Sequence, residues 1–149
     1  MRLSRFTDIG LRALMYIAAQ GRNVSAREVA DAYGVSRDHV TKSMQGLVAL
    51  GALSSTPGRN GGFALDADPS TLRLGDLVRS LEPSLAIAEC FGEDSTCPLT
   101  DDCALASALF QAREAFFVSL DRYTLADLVS GTYQGLVQIA PRELEVARA

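Results

Sequence analysis

The sequence predicts a mainly helical fold with one small β-hairpin and a long helix behind it. Several segments carry apolar residues at helical spacing, bounded by residue types that start or end helices. A glycine-rich turn around Asn60-Gly61 separates two short runs of strand formers, which is a typical hairpin signal. Apolar residues make up 48% of the 149-residue chain, which is enough for a buried core.

The first two helices are expected near the N-terminus. The first has Thr7 as its N-cap and ends at Gly21, and its buried face follows the i, i+3, i+4, i+7 pattern: Leu11, Leu14, Met15 and Ala18. The second begins at Ser25, which forms a capping box with Glu28 three residues later. It stops at a three-residue turn, residues 33–35, that contains a glycine.

Ser36 is expected to cap a third helix that runs to about Leu50. Apolar residues at spacings of 4, 3 and 3 face inward: Val40, Met44, Leu47 and Leu50. Polar residues are left on the outer surface: Arg37, Asp38, His39, Thr41, Lys42 and Gln45. Two short helices joined by such a turn, the second polar at its outer N-terminal end, form a helix-turn-helix.

Residues 52–56 and 63–65 are short enough to be two strands, joined by the turn 57–62. A hairpin directly behind a recognition helix is a wing. The residues at its tip have one cation and little bulk, so the backbone can approach a phosphate strand or a minor groove: Arg59, Asn60, Gly61 and Gly62. An ordinary solvated hairpin is the alternative interpretation.

The second half of the chain contains three more predicted helices. Ser70 caps one of them, which buries Leu74, Leu77, Val78 and Leu81. A long helix of about 17 residues follows from Ala104, and Thr124 with Asp127 marks the start of a short one. The long helix carries more apolar residues than one wing domain can cover, which indicates a partner chain: Leu105, Leu109, Phe110, Ala112, Phe116, Phe117, Val118 and Leu120.

These elements divide the chain into four parts. Residues 1–82 are expected to form a winged helix-turn-helix DNA-binding domain, and residues 83–103 a cysteine-containing loop. Residues 104–131 supply a dimerisation helix and a short following helix, and residues 132–149 a flexible tail. No apolar run is long enough to span a bilayer, and no secretory signal is evident, so we expect a cytoplasmic protein without membrane contact.

Charge is unevenly distributed along the chain. The net charge is −4, but residues 1–62 carry eight basic and four acidic side chains, whereas residues 81–149 carry four and eleven. A basic front half suits a DNA partner, because salt screening limits each patch to its own surroundings. Arg37 is a candidate donor to guanine, and His39, Thr41 and Lys42 offer base or phosphate contacts. Asp38 is a candidate acceptor from cytosine or orients Arg37.

The three cysteines lie close together in sequence, at Cys90, Cys97 and Cys103. An odd number of cysteines cannot pair completely within one chain, and the spacing is wider than a typical zinc C-x2-C pair. Three thiolates that converge from a loop suit an iron–sulfur cluster with a fourth ligand from elsewhere. Zinc and unpaired structural cysteines remain alternatives. His39, the only histidine, is too far along the chain to be the favoured fourth ligand.

The chain resembles the nitric-oxide-sensitive (NsrR-type) branch of the Rrf2 family of winged-helix iron–sulfur transcription regulators. Besides the cysteines, the matching segments are residues 6–14 (FTDIGLRAL), 33–36 (YGVS), 58–62 (GRNGG), 74–79 (LGDLVR), 81–83 (LEP) and 123–129 (YTLADLV). Iron–sulfur-assembly regulators of the family typically place a histidine just after the third cysteine. The segment after Cys103 has none, which favours the nitric-oxide branch.

The resemblance implies a homodimeric repressor of a double-stranded operator. Cys90, Cys97 and Cys103 would hold a cluster, [4Fe–4S] in preference to [2Fe–2S], with Asp8 of the partner subunit as fourth ligand. Arg12 would support that aspartate at i+4. Nitrosylation of the cluster would release the operator. An alternative within the family is a regulator that responds to cluster status or oxidative stress.

Two other classes of function compete with this one. An enzyme would need a pocket with acid–base groups, and the single histidine is expected on the outer face of the recognition helix, so we expect no enzyme. A DNA-binding module with zinc or free thiols in a structural role is the other.

Overall fold

The computed structural model describes residues 2–58, 61–92, 95–99 and 103–130. Over these residues the expected architecture, mainly helical with one hairpin, is confirmed. The elements are α1 (Arg5–Gln20), α2 (Ala26–Tyr33), α3 (Arg37–Ala49), β1 (Leu53–Thr56), β2 (Gly62–Leu65), α4 (Leu74–Leu81), a 3₁₀ turn (Glu89–Phe91), α5 (Ala104–Leu120) and α6 (Leu125–Val129). None of the described helices is long and apolar enough to cross a membrane.

Two predicted N-caps are wrong. Ser4 caps α1, because its hydroxyl accepts a hydrogen bond from the Thr7 N–H at 3.2 Å, and Thr7 lies one turn inside the helix, fully buried. Ser70 does not cap α4. It donates instead to Asp68 in the preceding turn, and α4 begins after Arg73 without a side-chain cap.

The core lies where α1 packs on α3, with contributions from α2, α4, α6 and the sheet. The buried face of α1 is rotated from the predicted stripe, because this helix is covered from several sides. Of the predicted stripe only Leu14 is buried, and Leu11, Met15 and Ala18 are half-buried. The fully covered apolar positions of α1 are Ile9, Ala13, Leu14, Tyr16 and Ile17.

Helix α3 buries Val40, Met44 and Leu47 completely, as expected. The prediction that Leu50 faces inward is wrong, because α3 ends at Ala49 and Leu50 is 43% exposed. Ser43, two turns earlier in α3, is also buried, and its hydroxyl donates to the Phe6 carbonyl at 2.9 Å. This hydrogen bond satisfies the buried hydroxyl and fixes α3 against the first turn of α1.

The two strands pair antiparallel, with Leu53 opposite Leu65 and Thr56 opposite Gly62. Val24, from the segment between α1 and α2, extends the pairing by exchanging two backbone hydrogen bonds with Phe63, at 2.9 and 2.8 Å. The hairpin is therefore attached directly to the segment that precedes α2.

Helix α6 brings the end of the described chain back to the first helices. Thr124 and Asp127 form the expected capping box. The Leu125 N–H donates to the Leu72 carbonyl at 2.9 Å, and the Leu125 side chain lies in the core, 1% exposed. The short helix α6 is thus part of the same hydrophobic core as α1, α2 and α3.

Candidate nucleic-acid interface and cysteine loop

The outer face of α3 presents a polar surface to solvent. Arg37, Asp38, His39 and Lys42 are all exposed, because the opposite face of the helix is locked into the core. No salt bridge joins Arg37 or Lys42 to another described residue. Two uncompensated cations on one exposed helix face are suited to bind phosphate.

The hydroxyl groups near this surface differ in their availability. Thr41 is half-buried, and its hydroxyl donates to the Arg37 carbonyl at 2.9 Å within the helix. Ser36 stands at the N-cap position in extended backbone, but its side chain makes no capping hydrogen bond. The Ser36 hydroxyl is therefore exposed at the end of α3 where backbone N–H groups are unsatisfied within the helix.

The base of the hairpin tip requires glycine. A Cβ on Gly62 would lie 2.6 Å from the Val24 carbonyl oxygen, and one on Gly61 would lie 2.2 Å from the Thr56 carbonyl oxygen. Both contacts are far shorter than a real side chain tolerates, so the close backbone packing of the hairpin depends on these two residues. Arg59 and Asn60, which were predicted as tip contacts, lie outside the described residues.

Asp8 and Arg12 form the predicted pair on α1. Two oxygen–nitrogen distances of 3.0 Å join them, and their side chains are 44% and 51% exposed. Asp8 also lines a shallow depression with Arg2 and Arg5. The carboxylate is thus held at the surface, where a second molecule can reach it.

The three cysteines are placed on one connection between α4 and α5. Cys90 lies in the 3₁₀ turn, Cys97 lies in a part of the loop without regular secondary structure, and Cys103 is the N-cap residue of α5. All three are half-buried, and none forms a disulfide. Thiolate sulfur is a preferred ligand of iron, so this donor set fits an iron–sulfur cluster.

The donors are not assembled in the single chain. Among the described residues, no three His, Cys, Asp or Glu side chains are close enough together to hold a metal ion. The sequence thus predicts the ligand types, whereas the fold places them within one loop without bringing all three to a common point.

Two contacts that the sequence did not reveal hold α5 against α4 and against the cysteine loop. Arg79 of α4 makes a double hydrogen bond to Asp121 at the end of α5, at 2.8 and 2.7 Å, and lies over the Phe117 ring at 4.5 Å. This interaction lowers the pKa of Asp121. At the other side, the Arg113 guanidinium lies 5.4 Å from the Phe91 ring centroid, next to Cys90. Cation–π contacts of this kind join the loop to α5.

A second network holds the end of α1 to α2. Glu28 accepts hydrogen bonds from Arg22 and from the Tyr16 hydroxyl, instead of completing the capping box predicted with Ser25. The Ser25 half of that box is present, because its hydroxyl accepts from the Glu28 N–H. The hydrogen bond from Arg22 lowers the pKa of Glu28, and burial raises the pKa of Tyr16.

Helix α5 leaves much of its apolar surface uncovered. Leu105 is 66% exposed, Val118 56% and Phe110 48%, and Phe117 is the one residue of this helix that is buried. Exposed apolar groups along a whole helix are characteristic of a surface that packs against another chain.

Comparisons with known proteins agree with this architecture. A family model described as "Rrf2: Iron-dependent Transcriptional regulator" matches residues 3–131. The chain is 26% identical to T. potens IscR, with a TM-score of 0.67 over 87% of this chain and 86% of that one. It is 24% identical to CymR (YrzC), the global cysteine regulator of B. subtilis, with a TM-score of 0.70 over 87% and 97%. The oxidized form of Staphylococcus aureus CymR matches at 23% identity, with a TM-score of 0.69 over 88% and 98%.

Proposed function

The chain belongs to the Rrf2 family of iron-dependent transcriptional regulators, and we propose that it is a homodimeric repressor whose cysteine loop holds an iron–sulfur cluster sensitive to nitric oxide. The observation that carries this proposal is the position of the only three cysteines. All lie on the connection between α4 and α5, and none of them forms a disulfide.

The DNA-binding part of the proposal rests on α3 and the hairpin. Helix α3 exposes Arg37 and Lys42, neither of which forms an ion pair with another described residue, and a major groove accepts one helix of this kind. The hairpin stands directly behind it, fixed by the Val24–Phe63 backbone pair. We assign base or phosphate contacts to Ser36, Arg37, Asp38, His39, Thr41 and Lys42, and wing contacts to Arg59, Asn60, Gly61 and Gly62.

The metal part of the proposal assigns Cys90, Cys97 and Cys103 as ligands in one subunit. The fourth ligand would be Asp8 of the partner subunit, as the family resemblance implies. Its carboxylate is exposed, and Arg12 holds its position. When bound, the cluster would supply the iron with which nitric oxide can react. We favour [4Fe–4S] over [2Fe–2S] from the resemblance to the nitric-oxide branch of the family.

The dimer would form through α5. Its exposed side chains Leu105, Phe110 and Val118 would be covered by the same helix of a second copy. The cysteine loop contacts α5 at two points: Cys103 is the N-cap residue of this helix, and the Phe91 ring lies against Arg113. A change in loop conformation would therefore alter the relative position of the two α3 helices.

The test is anaerobic purification followed by iron and sulfide analysis and a visible spectrum. We expect a coloured protein with bound iron, a spectrum that changes on addition of nitric oxide, and weaker DNA binding afterwards. Cys97→Ala should lose the iron and the nitric-oxide response. Leu99→Ala is a matched control, because Leu99 is in the same loop, 63% exposed, and carries no ligand atom.

Other outcomes would redirect or refute the proposal. Iron-free protein that binds its operator at full strength would contradict it, and a colourless protein with zinc would indicate a structural metal. A coloured protein whose DNA affinity does not change on addition of nitric oxide would indicate a family member that senses cluster status or oxidative stress.

A further inference from the structure

The cysteine loop contains a clip that joins its two arms. The Glu89 carboxylate oxygen Oε1 accepts a hydrogen bond from the Thr96 hydroxyl at 2.8 Å and one from the Thr96 backbone N–H at 3.3 Å. Glu89 directly precedes Cys90, and Thr96 directly precedes Cys97. The clip therefore ties together the backbone positions next to two of the three thiols.

A second contact anchors the same turn from the other side. Phe91, which follows Cys90, lies against Arg113 of α5, and that guanidinium also lies 4.9 Å from the Phe110 ring centroid. The two residues that flank Cys90 therefore each make a contact: Glu89 with Thr96, next to Cys97, and Phe91 with Arg113 of α5. Cys103 has a separate anchor as the N-cap residue of α5.

We propose that Glu89 and Thr96 are positioning residues that hold the Cys90 and Cys97 thiols as a pair before iron binds. The inference rests on the proposed function and adds an order to it: two thiols are arranged by the chain itself, and the third donor joins them on metal binding. It agrees with the absence of any three-donor cluster among the described residues. Holding two groups near each other raises the effective concentration of one at the other.

The test measures this effective concentration in the metal-free protein. In a glutathione buffer, one glutathione disulfide bond is broken, a Cys90–Cys97 disulfide forms, and two glutathione thiols are released. The equilibrium constant of this exchange reports how well the chain holds the two thiols together. The full chain with Cys103→Ser is used, so that only this pair can form, and mass spectrometry gives the oxidised fraction.

Thr96→Val removes the hydroxyl donor without changing charge, and we expect the equilibrium constant to fall about fivefold, on the scale of one ordinary intramolecular hydrogen bond at an exposed position. Thr96→Ser keeps the donor and should restore the starting value. Glu89→Ala should lower the equilibrium constant at least as much as Thr96→Val does. Asp31→Ala removes a carboxylate from the exposed face of α2 and should leave the constant unchanged.

The two proposals fail separately. An equal equilibrium constant in Thr96→Val, Glu89→Ala and the parent would overturn the clip, whatever the iron content of the unmodified protein. A clear effect in a protein that never binds iron would support the clip and contradict the iron–sulfur sensor. Because Glu89 and Thr96 are both exposed, circular dichroism of each variant should match the parent.

Discussion

Replacing Arg37 and Lys42 together by alanine is expected to reduce the salt dependence of DNA binding. Both side chains lie on the exposed face of α3, and neither forms an ion pair with a described residue, so their charges are available to phosphate. Each phosphate contact contributes ~0.9 to the slope of log affinity against log salt. Two contacts thus contribute ~1.8 to the slope.

The magnitude follows from this slope. Raising the salt concentration from ~50 to ~200 mM is a fourfold change. Over this range the affinity of the parent should fall about twelvefold more than the affinity of the variant that lacks the two contacts. The assay is a fluorescence-anisotropy titration of a duplex obtained by in vitro selection on the parent protein. Arg122→Ala is the control, because it removes an exposed cation that lies just after the C-terminal end of α5, far from α3 in sequence.

An unchanged salt slope in the double variant would refute the assignment of α3 to the DNA surface. A slope reduced equally by Arg122→Ala would show that net charge, and not this face, governs binding. A loss of affinity with an unchanged slope in Arg37→Ala alone would instead identify a base contact, for which about 1–3 kcal/mol is expected.

Three further predictions concern the hairpin, the dimer and acid stability. Gly62→Ala should destabilise the fold by about 2 kcal/mol and weaken DNA binding, because the added Cβ meets the Val24 carbonyl; thermal unfolding and the same titration measure both effects. Leu105→Glu should convert the proposed dimer to monomer in sedimentation velocity, because it places a charge on the uncovered face of α5. Glu28→Gln should lower the free energy of unfolding at neutral pH. The difference in stability between variant and parent should shrink as the pH falls below 4.5. Arg22 lowers the pKa of Glu28, and the stabilisation is lost once that carboxylate is protonated in the folded state. Chemical unfolding as a function of pH measures this effect.

Each of these predictions has its own control or contrary outcome. Gly10→Ala should have a smaller effect than Gly62→Ala, because its added Cβ meets only ordinary contacts of 3.5 Å or more. Ser55→Glu puts the same charge on an exposed polar position of β1, outside α5, and should leave the dimer intact. A difference between Glu28→Gln and the parent that stays constant from neutral pH to well below 4.5 would contradict the stated role of the Arg22 contact.

The sequence by itself determined the features that depend on neighbouring residues. The turn before α3, the hairpin, the capping box at Thr124 and the length of α5 were all predicted correctly, because each depends on residues a few positions apart. The inward face of α3 was also right at Val40, Met44 and Leu47. The number and spacing of the cysteines favoured a cluster but left zinc and unpaired cysteines as alternatives, and the nitric-oxide branch came from the family resemblance.

Only the tertiary structure decided which distant groups meet. The rotation of α1, the outward turn of Leu50 and the hydrogen bonds of Arg79 to Asp121 depend on packing between elements far apart in sequence. The same holds for the backbone pair of Val24 with Phe63, which connects the wing to the segment before α2. Periodicity describes one helix at a time, whereas the burial of a side chain depends on every element that packs around it. The physical reason is that these contacts form only once the chain is folded, so no local pattern records them.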